Sequence, residues 1–244
     1  MELPKNKSGI SKRWCDQKFL MIGDSGIGKS EFFSHAERPF YIEAEPGLNF
    51  LDVYKLPCRD WDDIGQTMSL LIKEAEKPES FPYDLIVVDT IDKVVDYASE
   101  ETIRWGKNKF KNSDIVSIGD IGQGTGWDMR RTMVHKVLNA LEKFPCAVAI
   151  IGHLDCKEVD ESGQVPYHKH TISIGGKVGS DILAWSDHTL HVKGVMLGDV
   201  LKRTVYTKPT KSREAKSRGG IIKDGWVWSE NSAENFNKLR EQFN

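Results

Sequence analysis

Apolar and polar positions divide the chain into two kinds of segment. Four runs are short and almost wholly apolar: KFLMIG (18–23), PFYIEAE (39–45), YDLIVVDT (83–90) and CAVAIIGHL (146–154). Runs of this length, rich in β-branched and aromatic residues, predict strands covered on both faces, as in a parallel sheet. Between them the apolar spacing lengthens. Trp61, Ile64, Met68, Leu71, Ile72 and Ala75 recur at helical spacing behind Asp60, a good capping residue, with Asp62 and Asp63 near the positive end of the helix. Val134, Val137, Leu138 and Leu141 predict a helix over residues 127–144. Shorter helices are expected over 30–37, stopped before Pro39, over 91–105, around 182–185, and from Ser232 onward.

The remaining segments read as connections. Pro46-Gly47 is a turn, and the polar, glycine-bearing stretches 106–126 and 155–180 read as loops. DHTLHVKGV (187–195) and KRTVYTKP (202–209) predict two strands joined as a hairpin through Gly198-Asp199. Trp226 and Trp228 alternate as on one face of a strand, a pattern that suits core packing. Strand–helix alternation up to residue 154 predicts an α/β fold, a mostly parallel sheet flanked by helices, with the late hairpin adding antiparallel strands at its edge. The expected organisation is an N-terminal arm (1–17), a core (18–220) and a C-terminal tail with a short helix (221–244).

Composition narrows the function classes. With 244 residues, 39% hydrophobic, 29% charged and a net charge of −2, the chain is an ordinary globular one, and its overall charge does not mark a nucleic-acid binder. Cys15, Cys58, Cys146 and Cys156 are scattered without a C-x-x-C, which points to reduced thiols in a cytoplasmic protein. No apolar run approaches the roughly 18 residues of a membrane span, and the lysine-bearing N-terminus lacks an apolar leader, so no membrane partner is expected.

One segment carries specific chemistry. Gly23-Asp24-Ser25-Gly26-Ile27-Gly28-Lys29-Ser30 matches G-x-x-x-x-G-K-[ST] after a predicted strand and before a predicted helix. Its glycines let backbone N–H groups close around phosphate oxygens. Lys29 would neutralise β/γ-phosphate charge, Ser30 would offer its hydroxyl to Mg²⁺, and Glu31 follows in the first helical turn. Asp89, at the C-terminal end of a predicted buried strand, is the second candidate ligand for the hydrated Mg²⁺. GHLD echoes a guanine-reading N-K-x-D, but Gly152 and His153 replace the Asn and Lys, so ATP is the expected cofactor.

Taken in order, the strand ends resemble the RecA family. YIEAEPGLNFLD resembles the segment in which the strand after the P-loop helix ends in the catalytic glutamate, which makes Glu45 the candidate base and Glu43 its neighbouring rival. LIVVDT resembles the Mg²⁺ strand. AVAIIGHLD resembles the strand whose polar end senses the γ-phosphate, with His153 where RecA has glutamine. More closely, the pattern over residues 18–220 resembles the phage RecA-like nucleotide-binding proteins of the Sak group's ATPase type, which act beside single-strand-annealing systems. The resemblance implies a RecA-like P-loop NTPase core and ATP hydrolysis in phage DNA recombination or annealing. It also implies single-stranded DNA and a single-strand DNA-binding protein as partners, homo-oligomers, and the host cytoplasm.

The resemblance puts trans-acting lysines late in the chain, making Lys208 and Lys211 candidates for a neighbour's γ-phosphate; contact of this basic segment with DNA phosphates is the competing reading. It puts DNA-binding loops at 106–126 and 155–180. Beside the first, WGKNKFKNSD interleaves Trp105 and Phe110 with Lys107, Lys109 and Lys111, a combination suited to base stacking and phosphate neutralisation or simply to a solvated helix end. Three alternatives stay open: a metal site from His153, Cys156, His168 and His170; a small-molecule kinase with arginines in 202–218; and a nucleotide-gated DNA-binding module with negligible turnover.

Overall fold

The computed structural model describes residue 3 and residues 11–162 and 165–243. In chain order its elements are β1 (Lys18–Gly23), α1 (Lys29–Ser34), β2 (Pro39–Glu43), β3 (Tyr54–Pro57), α2 (Trp61–Ala75), β4 (Leu85–Asp89), α3 (Ile91–Phe110) and α4 (Thr125–Leu141). There follow β5 (Ala147–Val159), β6 (Tyr167–Ile172), α5 (Gly176–Trp185), β7 (His188–Leu197), β8 (Val200–Tyr206), β9 (Lys216–Ser217), β10 (Trp226–Val227) and α6 (Ser232–Arg240).

The four apolar runs lie side by side. The sheet runs β10-β8-β7-β1-β5-β4-β2-β3, parallel from β7 to β3, with β8 and β10 antiparallel at one edge. Alternation along each strand divides its side chains between two cores. Leu20, Ile22, Ile42, Val88 and Ile150 meet Ile64, Val94, Val134 and Ile182 of α2, α3, α4 and α5 on one face. Phe19, Met21, Tyr41, Val87 and Ile151 meet Phe32 and Phe33 of α1 and Phe236 and Leu239 of α6 on the other. This two-sided covering explains why those runs are continuously hydrophobic. Asp60 caps α2 as expected, accepting a hydrogen bond from the Asp63 N–H.

The second core also takes in both chain ends. Trp14 meets Phe236 edge-on at 5.6 Å, Phe243 meets Phe19 at 5.6 Å, and Trp228 stacks on Phe32 at 5.2 Å with the rings 9° apart. Of the expected arm, residues 1, 2 and 4–10 lie outside the described residues.

Two expectations are corrected and a third is refined. α3 does not stop at residue 105 but continues to Phe110. Gly106 sits inside it because Ile121 packs where a side chain would be, and a methyl on Gly106 would stand only 2.7 Å from it. Lys111, at φ 49°, ends the helix. The stretch 155–180 is not a loop: β5 runs on to Val159 and pairs antiparallel with β6, and α5 begins at Gly176. The hairpin through Gly198-Asp199 forms, but its first strand, β7, extends the parallel set by pairing with β1. β3, short and largely exposed, had no apolar signal.

Candidate functional site

The candidate residues meet because of strand order. β5 stands between β1 and β4, and the register sets Gly23 against His153, Asp89 against Ile151, and Glu43 against Asp89. The ends of β1, β4 and β2, with β5 passing between them at His153, thus open into one cleft of about 350 Å³, lined by Gly26, Gly28, Lys29, Ser30, Glu45, Asp89, Thr90 and His153 among others.

The P-loop wraps one side of the cleft. Gly26 and Gly28 adopt φ of 72° and 98°, which other residues take up only with strain. Gly28 caps α1, its carbonyl accepting from the Phe32 N–H. Lys29 is 6% exposed, and its ammonium donates to the carbonyls of Gly23 at 2.8 Å and Asp24 at 2.9 Å. Burial lowers its pKa, against the pull of Asp89 and other carboxylates. The Tyr41 hydroxyl donates to the Ser30 carbonyl at 2.7 Å, tying the first turn of α1 to β2.

Opposite stands Asp89, whose carboxylate accepts from the Ser30 hydroxyl at 2.6 Å. Burial pushes its pKa up from 3.8 to about 6, and nearby Glu45 adds to this; the Ser30 hydrogen bond, Lys29 and His153 oppose it. A desolvated carboxylate beside a hydroxyl is an oxygen pair short of positive charge, so Ser30 and Asp89 fit the Mg²⁺ expected of them. The loop glycines and Lys29 likewise fit a polyphosphate, since a methyl on Gly26 would meet nothing within 4 Å.

The structure separates the two glutamates at the end of β2. Glu43 is 7% exposed and braces the following turn, accepting from Lys55 Nζ at 3.1 Å and the Leu48 N–H at 3.3 Å. Glu45 faces the cleft. Its N–H donates to the Asp89 carbonyl at 3.0 Å, and its carboxylate accepts from the Thr90 hydroxyl at 2.9 Å. The Asp89–Thr90 peptide is cis.

His153 is positioned by Asp92, in the first turn of α3. The Asp92 carboxylate accepts from the His153 N–H at 3.0 Å, lies 3.5 Å from its Nδ1, and also accepts from the Ser173 hydroxyl. Sequence reasoning gave no role to Thr90, Asp92 or Tyr41. Thr90 and Asp92 follow directly on the Asp89 strand end, which is the signal that could have raised them; Tyr41 reads simply as a strand residue.

Other candidates lie elsewhere. Lys208 is exposed, with its N–H donating to Asp224 at 3.0 Å, and Lys211 places its ammonium 4.3 Å from the Tyr167 ring; neither lines the cleft. Trp105, Lys107, Lys109 and Phe110 occupy the last turns of α3 rather than a loop, with Lys111 closing the helix. Lys109 sits 4.6 Å from the Trp105 ring, and Trp105 meets Phe110 edge-on at 6.1 Å. Of the alternative metal ligands, Cys156 pairs across the strands with His170 while His153 stays at the cleft. Among the described residues no group of three His, Cys, Asp or Glu side chains is arranged to hold a metal ion.

A second cavity, about 740 Å³, opens between the starts of α4 and α5, lined by Trp127, Arg130, Arg131 and Lys177 among others. Trp127 is 50% exposed, with the Arg130 guanidinium 4.7 Å from its ring. Arg131 makes two hydrogen bonds to Asp181, at 2.6 and 3.0 Å. Its residues come from segments far apart in the chain, and no sequence pattern joins them.

Among the described residues no helix is long and apolar enough to cross a membrane. The chain is 28% identical over 237 residues to the SPbeta prophage-derived uncharacterized protein YorG of Bacillus subtilis (strain 168), covering 95% of this chain and 68% of that protein. The crystal structure of the KaiC-like protein PH0186 from the hyperthermophilic archaeon Pyrococcus horikoshii OT3 aligns with a TM-score of 0.48 at 9% identity, over 90% of this chain and 88% of that one. The model of the AAA domain family AAA_24 matches residues 16–219, taking in the P-loop, Glu45, Asp89 and His153, and the chain belongs to that family of P-loop NTPases.

Proposed function

We propose that this chain is a Mg²⁺-dependent ATPase of the RecA-like, Sak-group type that couples hydrolysis to single-stranded DNA in phage recombination or annealing. The observation that carries the ATPase reading is the convergence of Lys29, Ser30, Asp89, Glu45 and His153 on one cleft. A bound Mg²⁺ would neutralise charge on the β- and γ-phosphates. The loop N–H groups and Lys29 hold the phosphates, the ammonium exchanging the carbonyls of Gly23 and Asp24 for phosphate oxygens. Glu45, steadied by Thr90, accepts a proton from the attacking water. His153, held by Asp92, donates to the γ-phosphate. The prophage origin of the YorG relative supports the phage setting.

The DNA reading draws support from the second cavity, where an exposed tryptophan and several cations lie together, a pairing suited to stacking and phosphate neutralisation. In this reading the DNA surface moves from the end of α3 to the starts of α4 and α5. Replacing Trp127 and Arg130 with Ala is expected to weaken single-strand binding about tenfold or more and to flatten its salt dependence. The triple Ala variant at Lys107, Lys109 and Lys111 is expected to do less. Titrations of a labelled oligonucleotide at several salt concentrations check this, and the reverse ranking would return the surface to α3. Assembly is supported by the tip of the β7–β8 hairpin, where Val195, Met196, Leu197, Val200 and Leu201 are all exposed, and by Lys208 and Lys211 standing away from their own cleft.

The test is steady-state ATP hydrolysis with and without single-stranded DNA, with Lys29→Ala as the blank. Hydrolysis that DNA stimulates and Lys29→Ala abolishes is the expected result. Hydrolysis indifferent to DNA would keep the ATPase and remove the coupling, and no hydrolysis above the blank would remove the enzyme reading.

A further inference from the structure

The candidate base Glu45, Asp89 and the histidine of the cleft lie on one side of the P-loop; the remaining cleft acid, Glu31, stands in α1 and accepts from the Ser232 hydroxyl at 2.9 Å. In the order β8-β7-β1-β5-β4-β2, His153 sits on β5 level with Gly23, Asp89 ends β4, and Glu45 lies just beyond β2. A triphosphate with its reacting γ end on that side must extend its nucleoside end the other way, toward β7 and β8. Arg203 stands there. It pairs in register with Gly194 on β7, two positions beyond Val192, which lies level with Gly23.

Its surroundings are specific. A methyl placed on Gly28 would lie 3.4 Å from the Trp228 ring and 4.0 Å from the Arg203 guanidinium carbon, so both side chains border the loop beside Gly28 and Glu31, which line the cleft. The guanidinium lies 5.9 Å from the Trp228 ring, which is itself held against Phe32. Arg203 Nε is buried and has no hydrogen-bond partner. A buried guanidinium donor without an acceptor is costly to keep, and an oxyanion is its natural complement.

We propose that Arg203 binds the α-phosphate of the nucleotide from within the same subunit, with Trp228 fixing its planar fork beside the loop. The inference rests on the nucleotide-binding reading above. Because the α-phosphate takes no part in γ-phosphoryl transfer, the contact is equal in ground and transition states. Arg203 therefore sets affinity and not the chemical rate.

Equilibrium binding of ADP and ATP to Arg203→Met and Arg203→Lys, with Lys29→Ala as the control for the loop, tests this. Arg203→Met keeps an apolar stem on Trp228 and is expected to weaken ADP and ATP alike by about 10–100-fold. It should raise KM with kcat unchanged. Arg203→Lys, which keeps charge without the fork, should weaken both less. If Arg203→Met melts early, the Lys variant alone decides. Unchanged affinity for both nucleotides would overturn the proposal. So would a loss confined to ATP, which would put Arg203 at the γ end. Failure of the unaltered protein to bind either nucleotide would instead sink the nucleotide reading itself.

Discussion

Glu45→Gln is expected to lower steady-state ATP turnover about 10²–10⁴-fold while nucleotide affinity stays within about threefold. The glutamine amide oxygen can still accept from the Thr90 hydroxyl, which the carboxylate meets at 2.9 Å, so the side chain keeps its place and loses its capacity to take a proton. The informative comparison is Glu43→Gln. Glu43 is buried against Lys55, so its replacement should cost about 1–3 kcal/mol of stability and leave turnover per folded molecule much closer to normal. Rapid-quench assays on both variants, with denaturation curves alongside, separate the two carboxylates. Equal turnover in Glu45→Gln and the unaltered protein would remove Glu45 from the mechanism and favour a nucleotide-gated binding module.

Asp89→Asn should have two opposite effects. It should weaken Mg²⁺-dependent nucleotide binding by more than about tenfold, because the oxygen pair with Ser30 loses its charge. It should also stabilise the nucleotide-free protein. The Asp89 carboxyl is raised by burial from 3.8 to about 6, so the unfolded chain ionises it more readily than the folded one. That difference costs the folded state about 3 kcal/mol. The cost is fully present above pH 6, shrinks as pH falls toward 3.8, and is absent below that. Allowing for a weaker bond from Ser30, Asp89→Asn should gain about 1–2 kcal/mol at pH 8 and nothing near pH 4. Urea titrations at the two pH values, without nucleotide or Mg²⁺, check this. A variant less stable than its parent at pH 8 would mean that Asp89 is already well compensated by Lys29.

What was legible in the sequence was what short spans encode. Four continuous apolar runs predicted four adjacent buried strands because burial on both faces leaves no polar position to confuse the period. The P-loop was legible because all its chemistry lies within eight residues. Glu45 came from the resemblance, and only the fold distinguishes it from Glu43, since the difference is which of the two meets Lys55 and which meets Thr90. The end of α3 was misread because glycine argues against a helix; Gly106 is tolerated there because Ile121, fifteen residues on, fills the space above it. The β5–β6 pair was misread because its strands leave the core after His153 and lose the apolar pattern that marks a strand. The second cavity depends on α4 and α5 starting side by side, which no local pattern specifies.

The family match ends at residue 219, and so did the expected core at 220, yet Trp228, Phe236 and Phe243 are structural partners of Phe19 and Phe32. Phe19 lies in the strand that feeds the P-loop, and Phe32 in the helix that leaves it. A fragment cut at the family boundary would therefore bare the underside of its own phosphate loop, and a fusion or affinity tag should be joined beyond α6 rather than at the end of the recognised domain.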